Sequence, residues 1–132
     1  MQRKIAYNGE KFAIAFAREK SGACPGFEFF SELSQTDKAK MMALFRIAGD
    51  RANFHNREKF GDLGEGLFEF KSFQIRMPFG YGGAQERRLI LVSHGFIKKR
   101  NNAPSEEIAR ARRILKEDQM QAKLAIVGKA NQ

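Results

Sequence analysis

The sequence contains a single cysteine, Cys24, and no tryptophan. One cysteine excludes an internal disulfide and is compatible with a reducing compartment. It also falls short of a zinc-ligand set, because the two histidines, His55 and His94, lie at unrelated positions. A phosphate-binding glycine motif is absent too, since GYGG lacks a following Lys and Ser or Thr. We therefore expect no metal and no cofactor.

Long apolar runs are also absent. No stretch approaches the roughly 18–20 residues of a membrane span, and the N-terminus MQRKIAYNGEKF has no signal-peptide core. We therefore expect a cytoplasmic protein without a membrane partner. With 132 residues, the chain is expected to form one domain over 1–132, with a core at about 3–120 and a C-terminal tail at about 121–132.

Positive charge, in contrast, is abundant and clustered. The formal net charge is +9, and nine Lys and Arg stand against two Glu between Arg87 and Lys116. Such clustering favours contact with a polyanion or an acidic protein. A solvated basic face that only keeps the protein soluble is the plainer alternative.

The first half of the chain predicts a hairpin and two helices. Asn8-Gly9 is typical of a two-residue hairpin turn. The apolar residues from Phe27 to Leu33 predict a short helix. Ser34 with Asp37 three residues later predicts the capped start of a second helix, and Gly49 is suited to its C-terminal cap.

In the second half the apolar period changes to two. Residues 50–66 are expected to form a polar connector. From Leu67 onward, alternate apolar residues indicate strands, with a bulge or tight turn at Lys71-Ser72 where the alternation slips. Phe68 and Phe70 share one parity, and Phe73, Ile75 and Met77 share the other.

The remaining segments complete the expected fold. Leu89–Ile97 is predicted to be a central strand, and a helix is expected to begin at Pro104, where acidic residues follow. These elements predict an α+β fold with a compact antiparallel sheet, two helices before the main strands and a C-terminal helix. We expect the helices on one face of the sheet.

Three stretches resemble one family of bacterial proteins. They are KFGDLGEGLFEFKSFQIR, LILVSHGFIKK and APSEEIARAR. Over about residues 27–117 they are similar to the strand-arginine, "HGFxKK" and "TPxxEIxxA" motifs of the RelE/HigB toxin superfamily, in its phage-related HigB-like branch. The family's tyrosine after the strand-end cations is missing from NNAPSEE.

The resemblance implies both an activity and partners. It implies a RelE-like fold and the toxin half of a type II toxin–antitoxin pair. Such toxins cut mRNA in the ribosomal A site, and a small helix-turn-helix antitoxin binds them. Cleavage without metal uses the neighbouring 2′-hydroxyl as nucleophile, cations to stabilise charge on the phosphate, and an acid and a base to move protons.

The candidate residues follow from the motif positions and from that chemistry. Strand parity directs Lys71 and Arg76 to the exposed face of the sheet, and His94 is either a general base or a satisfied core histidine. The expected catalytic residues are Arg76, Lys71, His94 and Lys99. The expected RNA-binding residues are Lys59, Lys98, Arg100, Arg110 and Arg113.

Two other functions stay open at this point. The same scaffold serves non-cleaving inhibitors, such as gyrase poisons of the ParE-like branch. A phage-derived relative that binds RNA or an antitoxin without cutting is the other alternative.

Overall fold

The helices and strands are seen in a computed structural model, which describes residues 3–99 and 105–130, with side chains as far as residue 124. The strands are β1 Lys4–Asn8, β2 Ala13–Phe16, β3 Phe60–Gly64, β4 Leu67–Ser72, β5 Ile75–Tyr81, β6 Leu89–Val92 and β7 Phe96–Ile97. The helices are α1 Pro25–Ser31, α2 Gln35–Arg46 and α3 Ser105–Ala130, and a π-helical segment at Ile47–Arg51 follows α2. The predicted α+β class, with two helices before the main strands and one after them, is confirmed.

The strands of the described residues form one sheet in the order β1-β2-β6-β5-β4-β3, and β7 pairs with β5. All of these pairs are antiparallel except β2 with β6. The sheet is therefore mixed. The parallel pair arises because the chain forms α1, α2 and three strands before β6 returns beside β2, and parallel pairing requires such a long crossover.

Helices cover both faces of the sheet, so the expectation of helices on one face is wrong. Alternate residues of the central strands, such as Ile14 and Ile90, pack with Phe45 of α2. Their neighbours Ala15 and Leu91 pack instead with α3. The physical reason is visible in β6, whose four residues LILV are all apolar and all buried, because a continuous apolar strand must be covered on both sides.

The β1–β2 hairpin is confirmed, but its turn is longer than two residues. Asn8 pairs with Ala13, and four residues connect the strands. The amides of Lys11 and Phe12 donate to the Gly49 carbonyl at 2.7 and 2.9 Å. A Cβ on Gly9 would lie only 2.3 Å from the Gly49 carbonyl carbon. Gly9 is therefore needed for close packing on the segment after α2.

The predicted short helix and the predicted cap of α2 are confirmed. The Ser34 hydroxyl accepts a hydrogen bond from the Asp37 amide at 3.1 Å. The predicted end at Gly49 is wrong, because the helix continues through a π-helical turn to Arg51 and ends at Ala52 with φ of +52°. Gly49 is there for the close approach of the β1–β2 turn.

Two strand predictions of the second half need correction. The expected polar connector 50–66 contains β3, whose Phe60 packs into the core. The turn predicted at Lys71-Ser72 lies at Phe73 and Gln74, and Phe73 is 74% exposed with φ of +55° instead of continuing the core alternation. Phe73 is at the tip of the β4–β5 hairpin, where a side chain has no sheet face to pack against.

The expected strand Leu89–Ile97 is divided into β6 and β7. The pairing of β5 shifts by one residue between Phe79↔Val92 and Arg76↔Phe96. The Pro78 carbonyl accepts from the Ser93 amide at 2.9 Å, but proline has no N–H to return, so a regular ladder cannot continue there. A bulge at Ser93–Gly95 results.

Ion pairs fix α3 to the residues that flank β1 and β2. Asp118 of α3 is fully buried and accepts from the guanidinium groups of Arg3 and Arg18 and from the Arg18 amide. Arg3 also pairs with Glu86. The helix continues well into the expected C-terminal tail, as far as Ala130. Its predicted start at Pro104 lies outside the described residues.

Candidate nucleic-acid interface

Three cations lie side by side, one on β4, one on β5 and one at the turn residue that precedes β3. Lys71 of β4 is directly opposite Arg76 of β5. The Lys71 amide donates to the carbonyl of Lys59 at 2.8 Å, in register with the Phe60↔Phe70 pair of β3 and β4. Residues opposite one another share a face, so Lys59, Lys71 and Arg76 form one line, here called the cation row.

The cation row is on the α3 side of the sheet, in the half that α3 leaves uncovered. The same face carries Leu67 and Gly80 closer to the helix, and a Cβ on Gly80 would lie 3.0 Å from Leu115 of α3. Lys71 and Arg76 are half-buried and Lys59 is exposed. The prediction from strand parity that Lys71 and Arg76 share the open face agrees with this placement.

The cations of the cation row form no salt bridge with a described residue, although Arg76 and Lys71 act electrostatically on Glu69 of β4. The Arg76 guanidinium donates instead to backbone carbonyls of its own hairpin, those of Phe73 at 2.5 Å and Ile75 at 3.0 Å. Its buried Nε has no hydrogen-bond partner. Like charges directly opposite each other destabilise a sheet, so this arrangement favours an anionic ligand.

Lys98 lies beyond Arg76, at the end of the cation row next to β7. Its amide donates to the Gln74 carbonyl at 2.7 Å, which extends the β5–β7 pairing by one step. Lys98 is exposed and, like Lys71 and Arg76, acts electrostatically on Glu69. Four of the predicted site residues are therefore brought together.

Glu69 is a site residue that the sequence analysis missed. It lies on β4 two residues before Lys71, on the same face, between Gly61 of β3 and Pro78 of β5. Burial raises the pKa of the Glu69 carboxyl, while Arg76 and the two lysines act to lower it. The same parity argument that placed Lys71 could have found Glu69 in the LFEFK motif.

His94 is buried inside the bulge next to the site. It is 0% exposed, its ring stacks on Phe96 at 5.7 Å, and its Nδ1 is 2.9 Å from the Ser93 hydroxyl. Its Nε2 is 3.5 Å from a Glu107 oxygen but makes no hydrogen bond. Burial, with a contribution from two nearby arginines of α3, lowers the pKa of His94 to about 4. The imidazole is therefore neutral at pH 7 and closed to solvent.

The remaining predicted cations that the structure describes lie outside β4 and β5. Lys99 is exposed just beyond β7, and Arg100 lies outside the described residues. Arg110 is exposed on α3. Arg113 is already engaged, because its guanidinium pairs with Glu19 at 2.9 Å and Glu117 at 3.0 Å. Arg113 is therefore the least available of the predicted RNA-binding cations that the structure describes.

The three side chains of the cation row line none of the cavities seen among the described residues. A cavity of about 260 Å³, lined in part by Phe54, Phe68 and Tyr81, lies under the opposite face. Within the described part of the chain, no three His, Cys, Asp or Glu side chains are grouped as a metal ion would need. None of the described helices has the length and apolar character to cross a bilayer. The extended geometry of the cation row suits an extended polyanion.

Comparison with known proteins places the chain in a family. The sequence matches the family described as "Phage derived protein Gp49-like (DUF891)" over residues 28–116, about two thirds of its length. This span runs from α1 to α3 and contains the cation row, Glu69 and His94. No curated protein matches the sequence. The phage-related part of the resemblance is confirmed, and the chain belongs to the phage-derived Gp49-like family.

Proposed function

We propose that the protein is the toxin of a type II toxin–antitoxin pair, a ribosome-dependent endoribonuclease that cuts mRNA without a metal. The observation that carries the proposal is the cation row, three cations that form no salt bridge with any described residue, on the half of a sheet face that α3 leaves uncovered. The family membership and the motif resemblance agree with it. The partners proposed with it are mRNA in the ribosomal A site and a helix-turn-helix antitoxin.

The geometry of the cation row fits RNA backbone. Neighbouring strands lie about 4.8 Å apart, so the Cα atoms of Lys59 and Arg76 are separated by roughly 10 Å. That length allows contact with more than one phosphate of a single strand. The open surface also leaves room for the ribosome to hold the mRNA against it.

Arg76 is the cation best placed to stabilise the transition state. Its two bonds to hairpin carbonyls hold the guanidinium in position, and half-burial strengthens its field compared with an exposed lysine. Charge accumulates on the phosphate oxygens when the 2′-hydroxyl attacks, and a cation already in position stabilises that charge without reorganising. Lys71, and Lys99 beyond the cluster, supply further positive charge. His94 is fully buried, so we assign His94 no proton-transfer step.

The test is cleavage mapping of a reporter mRNA in a cell-free translation reaction, with and without ribosomes. We expect the wild-type protein to cut within the reading frame only when ribosomes are present. Arg76→Ala should abolish the cuts. Arg87→Ala removes an exposed arginine from the β5–β6 loop and should cut like the wild type.

Two results would contradict the proposal. Intact mRNA with translation unimpaired would exclude this activity for the wild-type protein. Blocked translation without cuts would favour a protein that binds RNA without cutting it. If translation is unimpaired, DNA supercoiling by gyrase would be the next measurement.

A further inference from the structure

A carboxylate stands among the cations of the proposed site. Glu69 shares a strand and a face with Lys71, and its cross-strand neighbour Pro78 is two residues from Arg76. Three cations act electrostatically on it. Despite this, its carboxylate makes no hydrogen bond and no ion pair with the residues that the structure describes.

The residues opposite Glu69 on the two neighbouring strands leave space around its carboxylate. On β3 the residue opposite Glu69 is Gly61, and a Cβ there would lie 2.8 Å from Oε2 of Glu69. On β5 the opposite residue is Pro78, which offers no polar side chain. The carboxylate therefore lies over the bare β3 backbone with its lone pairs available to a ligand hydroxyl.

The protonation state of Glu69 suits a base. Partial burial raises the pKa of its carboxyl, and the surrounding cations act in the opposite direction. The Glu69 carboxylate is therefore more basic than that of an exposed glutamate, and the neighbouring cations still favour its ionised form. A carboxylate with these properties in a cationic site is the arrangement that proton-transfer chemistry requires.

We propose that Glu69 is the general base of RNA cleavage at this site, an inference that rests on the proposed endoribonuclease function. A Glu69 oxygen takes the proton of the 2′-hydroxyl as O2′ forms a bond to the adjacent phosphorus. The bond from phosphorus to O5′ breaks, and the Lys71 ammonium donates the proton that O5′ needs. The products are a 2′,3′-cyclic phosphate and a 5′-hydroxyl, and solvent then restores the two protonation states.

A purely structural role makes different predictions. If Glu69 only offset the repulsion between the cations, its replacement by glutamine would lower stability and leave the pH dependence of cleavage unchanged. If Glu69 is the base, glutamine removes the group that titrates. Glutamine also removes a negative charge from the site, so the site should bind the ribosome and RNA at least as tightly.

The experiment is single-turnover cleavage on mRNA-programmed ribosomes across a range of pH, with wild type, Glu69→Gln and Glu69→Asp. We expect Glu69→Gln to cut about 10²–10⁴-fold more slowly, with ribosome binding and thermal unfolding midpoint retained. The rate of the wild type should fall at acidic pH, and this fall should be lost in Glu69→Gln. Glu69→Asp should recover part of the rate together with the acidic fall.

The outcomes distinguish failure of this inference from failure of the proposed function. A wild type that does not cut overturns the proposed function and the inference together. A wild type that cuts, with Glu69→Gln cutting at the same rate and with the same pH dependence, overturns only the role of Glu69.

Discussion

At the scale of single residues, the neighbours of a charged side chain determine whether it is available to bind a ligand. Arg113 and Arg76 are both arginines at predicted RNA-binding or catalytic positions. Arg113 is paired with two carboxylates, whereas the hydrogen bonds of Arg76 to described residues go only to backbone carbonyls. The difference comes from residues distant in sequence, such as Glu19. Motif position alone therefore does not distinguish a free cation from a neutralised one.

The buried His94 predicts a loss of stability in acid. Its pKa is about 4 in the folded protein, against 6.5 for an ordinary histidine. Between those values the unfolded chain binds a proton that the folded protein does not, so the free energy of unfolding falls as pH decreases from about 6.5 to about 4. The decrease attributable to His94 is roughly 3 kcal/mol across that window.

Chemical denaturation at a series of pH values measures this effect. The wild type should lose stability more steeply than His94→Gln below about pH 6.5. His55→Gln removes the exposed histidine of the loop before β3 and should leave the wild-type slope unchanged. Parallel curves for wild type and His94→Gln would contradict the burial of a neutral imidazole.

At the scale of elements, local chemistry was predictable and long-range packing was not. The Ser34 cap depends on a residue three positions away, and the hairpin at Asn8-Gly9 depends on its own turn. β3 was missed because its FGDLG sequence has little apolar character, and its pairing with β4 makes it a strand. Gly49 was misassigned because its neighbour Gly9 is 40 residues away in the sequence.

The same limit applies to the site. Alternation along the strands placed Lys71 and Arg76 on one face, because parity is a local property. The placement of Lys59 beside them required the register of β3. Glu69 was passed over because a glutamate on an exposed strand face is ordinary. That its carboxylate makes no hydrogen bond or salt bridge with a described residue is visible only in three dimensions.

The docking of α3 depends on one buried carboxylate. Asp118 accepts hydrogen bonds from Arg3 and Arg18, and all three groups are largely buried. Asp118→Ala leaves two buried guanidinium groups without that anion, so we expect a loss of about 3–5 kcal/mol in the free energy of unfolding. Thermal and denaturant unfolding measure this loss. Glu117→Ala removes the neighbouring, only partly buried carboxylate and should cause a much smaller change. Equal losses in the two variants would contradict a special role for Asp118.

At the scale of the whole molecule, the net charge of +9 could attract RNA to any part of the surface. The cation row predicts instead that binding is localised. Each phosphate contact with single-stranded RNA contributes a slope of about −0.7 to the dependence of log K on log salt concentration. Replacing Lys59, Lys71 and Arg76 together by alanine should therefore reduce the slope by about 2.

A second triple variant separates location from total charge. Lys11, Arg51 and Arg87 are exposed cations away from the cation row, and their replacement by alanine changes the net charge equally. Binding to single-stranded RNA, measured by fluorescence anisotropy over a salt series, should keep its wild-type slope in this second variant. If both triple variants lose the same slope, RNA is attracted by the overall charge and the cation row has no special part in binding. If only the first loses it, phosphate contacts are localised on β4, β5 and the turn before β3, which is the surface that the proposed cleavage requires.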